Sequence, residues 1–359
     1  MPSLDLRQDV VTLTRALCDI ESVSGAEGPL ADAIEAALRP LAHLEVLRDG
    51  DAVVARTHLG RAERVVLAGH IDTVPLAASP NLPTRVTGEG ADLVVHGRGT
   101  ADMKGGVAVQ LALAAGVAAP TRDVTYVFYD GEEVESERNG LGRIARLHPE
   151  WLDAGFAVLL EPTSAAVEGG CNGTIRLEVT TRGVAAHSAR AWMGRNAIHE
   201  AAVLLGRLTA YETQDVEVEG LVFRESLNAV RIGGGVAGNV IPDRCVVTVN
   251  YRFAPSKSVA DAERHLRELF AGYEVTVSDA AAGARPGLDR PAAQQFVALI
   301  GRPPQPKYGW TDVARFSELG VPAVNYGPGD PLTAHSDTEH TPAAQVIECE
   351  QRLRAWLTS

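Results

Sequence analysis

The chain is poor in the features that tie a protein to membranes, nucleic acids or an oxidising exterior. Its four cysteines, Cys18, Cys171, Cys245 and Cys349, stand far apart and form no CxxC pair. In a chain of 359 residues they read as reduced thiols buried as small hydrophobes, not as a disulfide framework. Lysine is nearly missing, with only Lys104, Lys257 and Lys307 present. The formal net charge of −13 speaks against nucleic acid or an anionic membrane as the main partner, because both select basic surfaces. No run of about 18 apolar residues occurs, so no membrane-spanning helix is expected. The opening MPSLDLRQDV lacks the basic start and apolar run of a secretory leader, and the expectation is a cytoplasmic protein.

What is present is an ordinary globular composition, 45% hydrophobic and 22% charged, in a chain long enough for two cores. Residues 5–20 and 28–42 carry helical apolar spacing. Arg64–Ala68 (RVVLA), Val124–Tyr129 (VTYVFY) and Ala157–Leu160 (AVLL) read as buried strands, with a helix in the apolar stretch after Thr100. Aliphatic strands alternating with helices predict an α/β domain: a mostly parallel sheet with helices on both faces. Near Gly173 the pattern changes to apolar–polar alternation. Thr174–Thr181, Leu227–Ile232, Arg244–Phe253 and Tyr273–Val277 read as half-exposed strands, with helices at Ala197–Tyr211 and Val259–Ala271. The expectation is a two-layer α+β domain over 173–285, inserted into a domain built from 1–172 and 286–359.

Three acid or histidine clusters follow predicted strands, and they are joined by Asp102, just before a predicted helix, and His335, from the C-terminal segment. His70 and Asp72 lie in GHIDTVP, Asp102 in GRGTADMKGG, Glu132 and Glu133 in DGEE, Glu161 in EPT and His335 in AHSDTEH. Each has a plain structural explanation alone: a hydrogen-bonded histidine, a helix cap at Asp102, a solvated acidic face at the glutamates. Their coincidence at the carboxyl ends of parallel strands, where open sheets form their ligand crevice, points to a shared site. Five nitrogen and oxygen donors with one shared carboxylate suit two zinc-like ions. His70, Asp102 and Glu161 would hold one, and His335, Asp102 and Glu133 the other. Asp72 would orient His70, and Glu132, left over beside a ligand, would serve as general base.

The five motifs, in order along nearly the whole chain, resemble the di-zinc metallopeptidase family of aminoacylases, deacylases and carboxypeptidases. That resemblance implies hydrolysis of an amide bond in a small N-acyl amino acid. It also implies zinc (or cobalt or manganese) on the five ligands above, Glu132 as base, and a cis peptide between Asp102 and Met103. The inserted domain would act as a lid and join a homodimer. Its His187, in the turn Gly183-Val-Ala-Ala-His-Ser, would reach the partner's site and stabilise the oxyanion. Asn239, in GNVIP, would bind substrate close by. Arg252 in NYRF and Arg190, with Arg315 as a further candidate, would pair with substrate carboxylates. The stretches following His187 and Tyr129 look most like the desuccinylase branch, with siblings that act on N-acetyl or peptide substrates as the alternative. Two positions depart from that branch: Arg190 stands where a tyrosine is usual, and Tyr308-Gly-Trp-Thr-Asp312 replaces a GGTSD-like run. A non-catalytic relative would be expected to have lost Glu132 or a ligand, and none is lost.

Overall fold

A computed structural model of the chain describes residues 3–78 and 80–359. It contains two compact units. One comprises the chain up to Gly169 with Gly287–Gln305 and Arg315–Ser359; the other comprises Gly170–Pro286 and Pro306–Ala314. The segment 306–314, which the sequence pattern assigned to the first domain, therefore belongs to the second unit. Local bonds explain this: Asn172 N–H donates to Lys307 O at 3.3 Å, and the Trp310 indole N–H donates to Ala282 O at 3.0 Å.

The first unit is built on an eight-stranded sheet. Its order is Glu45–Asp49, Ala52–Arg56, Asp123–Tyr129, Arg64–His70, Phe156–Leu159, Ala323–Asn325, Glu168–Gly169 and Gln305–Pro306. The central four strands run parallel, and the strands beside them pair antiparallel. Asp123–Tyr129 is buried at every position, which is why it reads as a continuous apolar run and not as an alternation. Helix Lys104–Gly116 is buried on almost all sides and packs against strand Arg64–His70 and helices Val10–Cys18 and Ala343–Thr358. Inside this apolar contact, Gln110 donates its amide hydrogens to Leu67 O at 2.8 Å and Val127 O at 3.0 Å, tying the helix to two strands. A three-stranded sheet of Arg85–Thr87, Val94–His96 and His340–Pro342 joins a late segment to an early one. Its strands are too short to show a period in sequence.

The second unit has a four-stranded antiparallel sheet ordered Ser226–Gly234, Arg244–Phe253, Gly173–Arg182 and Glu274–Ala281. Helices Ala197–Thr209 and Val259–Leu269 pack against it. In Arg244–Phe253, Cys245, Val247, Val249, Tyr251 and Phe253 all turn to the buried side, the alternation that a one-sided sheet requires. A hairpin of Asp215–Val218 and Leu221–Arg224 was not foreseen. Its strands are only four residues each, too short for their period to stand out, but Glu219 and Gly220, both at positive φ, form the two-residue turn.

The start of helix Lys104–Gly116 is pressed against the strand end that leads to Glu161. A Cβ on Gly106 would lie 2.2 Å from Leu160 O, a backbone atom that cannot swing aside. Gly106→Ala is therefore expected to cost about 2 kcal/mol of stability. Chemical denaturation would show a lower midpoint, and an unchanged midpoint would contradict this packing.

Candidate metal centre

The first unit delivers the candidate metal ligands from five segments. His70 is the last residue of strand Arg64–His70 and is fully buried. Parallel registry sets Ala68 beside Leu159, so two residues further on Glu161 stands level with His70. Glu161 is 5% exposed. Glu132 and Glu133 leave strand Asp123–Tyr129 through a turn at Gly131, where φ is +66° and a Cβ would meet Arg138 O at 2.6 Å. Glu27 supports that turn by accepting the Gly131 N–H at 3.2 Å. Asp102 precedes helix Lys104–Gly116, and its peptide bond to Met103 is cis, as the resemblance implied. The Met103 sulfur accepts the His70 N–H at 3.4 Å, so the Asp102 segment rests directly on the His70 strand.

His70, Asp102 and Glu133 each offer a donor atom, and these atoms lie within 4.8 Å of one another. His70 Nε2 is 3.0 Å from Asp102 Oδ1. His335 Nε2 is 2.9 Å from Glu133 Oε1 and 3.3 Å from Asp102 Oδ2. Asp102 thus has one carboxylate oxygen toward each imidazole. His335 holds a left-handed backbone at φ +62°, unusual for a residue with a Cβ and common where a site constrains the chain. A set of imidazoles and carboxylates with donors this close, buried at His70 and open at His335, fits a divalent cation.

Asp72 has a wider role than the sequence suggested. It is completely buried, and its Oδ1 lies 3.4 Å from His70 Nδ1. The same oxygen accepts the N–H of Glu132 at 3.0 Å, and Oδ2 accepts the N–H of Glu133 at 3.1 Å and the Ser24 hydroxyl at 2.7 Å. The carboxylate grips the backbone of the DGEE turn, while the main-chain carbonyl of Asp72 is the nearer partner of His70 Nδ1, at 3.1 Å. Glu339 was missed in the sequence, although it lies in the same AHSDTEH run as His335. It is buried and accepts the backbone N–H groups of Ala101 and Asp102. Arg98 pairs with it.

The remaining candidates lie in the second unit, except Arg315. Strand Ala186–His187 pairs with Val240–Ile241, and Ser188 N–H donates to Asn239 O at 2.9 Å, so His187 and Asn239 are neighbours. Both are exposed. Arg190 is also exposed, in the turn after His187. Arg252 lies apart from them on the central strand Arg244–Phe253, with its Nε donating to Asn250 at 3.1 Å. Arg315, in the first unit, donates to the Ser136 hydroxyl at 3.0 Å.

The electrostatics of the centre follow from its excess of acid. Burial works against a charged His70, yet hydrogen bonds to Asp102 and Asp72 hold its pKa well above the usual imidazole range. Bonds to Asp102 and Glu133 push His335 up to about 10. Burial would raise the Asp102 carboxyl, but the two imidazoles bring it below its ordinary value. Both shifts favour the protonated imidazoles, so an arriving metal ion competes with protons. Zinc binding is expected to release about one to two protons near pH 7 and to tighten as the pH rises, since protons compete less. Calorimetric titration in buffers of differing ionisation heat would measure this; binding without proton release would contradict it.

Among the described residues, no helix is long and apolar enough to cross a membrane. Residues 66–359 match the model of peptidase family M20/M25/M40. The chain is 45% identical to the succinyl-diaminopimelate desuccinylase of Corynebacterium glutamicum, covering 99% of this chain and 98% of that one. It is 52% identical to a Mycobacterium tuberculosis protein provisionally named for the same activity, over 99% of both. Its fold is shared with a Staphylococcus aureus tripeptidase at a TM-score of 0.78, with 20% identity and coverage of 99% and 98%. A metallo-carboxypeptidase from Sulfolobus solfataricus matches at 0.77, with 15% identity and 98% of each chain covered. Motifs, fold and full-length likeness agree that this chain belongs to peptidase family M20/M25/M40.

Proposed function

We propose that the chain removes succinate from N-succinyl-LL-2,6-diaminopimelate, in the synthesis of diaminopimelate and lysine. The observation that carries this reading is its full-length likeness to two proteins named for that reaction. The four cysteines, all buried and unbridged, are in keeping with a cytoplasmic enzyme.

The cofactors in this reading are two divalent ions, zinc first, with cobalt or manganese as alternatives. His70, Asp102 and Glu161 would hold one; His335, Asp102 and Glu133 would hold the other. When bound, such ions supply Lewis acidity and lower the pKa of water toward about 7. The chain's own groups do the rest. Glu132 takes a proton from the attacking water as its oxygen bonds to the amide carbon. The C–N bond then breaks, the proton passes to the leaving amine, and succinate and diaminopimelate are the products. Asp72 supports both ends of this, since it fixes His70 and holds the Glu132 and Glu133 backbone side by side. His187, with Asn239 next to it, would stabilise the oxyanion. Arg252 and Arg190 would pair with substrate carboxylates.

His187 would act from the other subunit of a homodimer formed through the second unit. Strand Ser226–Gly234 supports that assembly. It is a sheet edge with exposed Val230 and Ile232, and nearby helix Ala197–Thr209 exposes Ile198 and Val203. An open apolar edge of this kind invites strand pairing with a second copy.

A panel of N-succinyl and N-acetyl amino acids, compared by kcat/KM, tests the substrate. Succinyl-diaminopimelate is expected to lead, and a clear preference for acetylornithine would move the chain to a sibling activity. Glu132→Ala is expected to bind zinc normally while kcat falls about 100- to 10,000-fold; near-normal turnover would remove Glu132 as the base. Mixing Glu132→Ala with His187→Ala subunits should restore some activity, because a hybrid dimer holds one intact site. Verified hybrids that stay inactive would rule out action across the dimer.

A further inference from the structure

One buried carboxylate close to the metal centre has no part in the chemistry above. Glu339 is 2% exposed. Its Oε1 accepts two consecutive peptide N–H groups, from Ala101 at 3.1 Å and Asp102 at 3.2 Å. Its Oε2 accepts a guanidinium hydrogen of Arg98 at 2.7 Å, and Arg98 is itself 3% exposed. Arg98 also donates to Ser336 O at 3.3 Å, and Gly97 N–H donates to the main-chain carbonyl of Glu339 at 3.0 Å. Just beyond, His340 pairs with His96 in the three-stranded sheet. Two segments from distant parts of the chain are thus laced together, one ending in Asp102 and the other beginning at His335.

The geometry matters because Asp102 faces both imidazoles. A carboxylate that spans two donors tolerates little displacement of its own backbone. Asp102 cannot be fixed by its side chain alone, because both of its oxygens point into the site. Its backbone must be held from behind. Burying a second acid beside Asp102 is unfavourable unless its lone pairs are filled and its charge is matched. Here the two peptide N–H groups and Arg98 meet that requirement.

We propose that Glu339 is a positioning residue for the metal centre: by gripping the Asp102 backbone and Arg98, it sets the Asp102 carboxylate relative to His335. It touches neither substrate nor reacting atoms. The inference rests on the reading of His70, Asp102 and His335 as metal ligands.

Zinc dissociation constants, measured by competition with a chromogenic chelator, test it in wild type, Glu339→Ala, Glu339→Gln and Arg98→Gln. Circular dichroism and thermal melting would confirm that each variant is folded. Glu339→Ala is expected to weaken zinc binding about 10- to 100-fold. Glu339→Gln should lose less, because an amide oxygen still accepts both N–H groups. At saturating zinc, Glu339→Gln should recover most of its kcat with KM unchanged, since the residue acts through a ligand and not on substrate. A purely structural role would lower the melting temperature and leave the zinc affinity of folded protein untouched; that result overturns the proposal. Should Glu339→Ala fail to fold, Glu339→Gln and Arg98→Gln carry the same comparison. Wild type that binds no zinc would overturn the metal reading and this inference with it. Wild type that binds while all folded variants match it would overturn the positioning role alone.

Discussion

Negative charge is concentrated at one rim of the parallel sheet, and much of the first unit is arranged around that concentration. Asp72, Asp102 and Glu133 gather on the side where His70 ends its strand. Carboxylates brought this close in a poorly solvated place repel one another strongly. Protons shared with His70 and His335 can balance them, and so can divalent cations. The upward shift of both imidazoles follows from that excess of negative charge. A family of hydrolases needs that property, because a cation held there polarises a carbonyl and makes water acidic.

Holding such a set in place is a backbone problem, and the chain meets it twice with one device. Asp72 accepts the consecutive N–H groups of Glu132 and Glu133; Glu339 accepts those of Ala101 and Asp102. In each case a buried acid grips two consecutive N–H groups of a turn that carries a candidate ligand. The apolar framework beneath is correspondingly tight. Gly106 lets a helix start against Leu160, next to Glu161, and Met103 seats the Asp102 segment on the His70 strand. The second unit follows another logic. Its sheet buries one side under two helices and leaves Ser226–Gly234 as an open edge, while a short two-stranded pairing sets His187 beside Asn239.

Much of this could be read from residue order. Continuous aliphatic runs such as VTYVFY announce strands buried on both faces, and the alternation in Arg244–Phe253 announces a sheet covered on one side, because each pattern is set by which faces are wet. The acids and histidines following those runs disclosed the kind of chemistry, since few other uses bring imidazole and carboxylate to neighbouring strand ends. The hairpin Asp215–Arg224 and the three-stranded sheet leave no clear signal in the sequence, because their strands are only three or four residues long and are held by their pairing partners.

Sequence by itself determined the class of the longer elements, the family and the candidate metal-binding side chains, because those depend on local periodicity and on residue chemistry. Tertiary structure alone decided that Asp102 faces both imidazoles, that Asp72 and Glu339 hold backbone as well as charge, and that 306–314 belongs with the second unit. Hydrogen bonds between residues such as Arg98 and Glu339 leave no period along the chain; their partners become visible only when folding has brought distant segments within 3 Å.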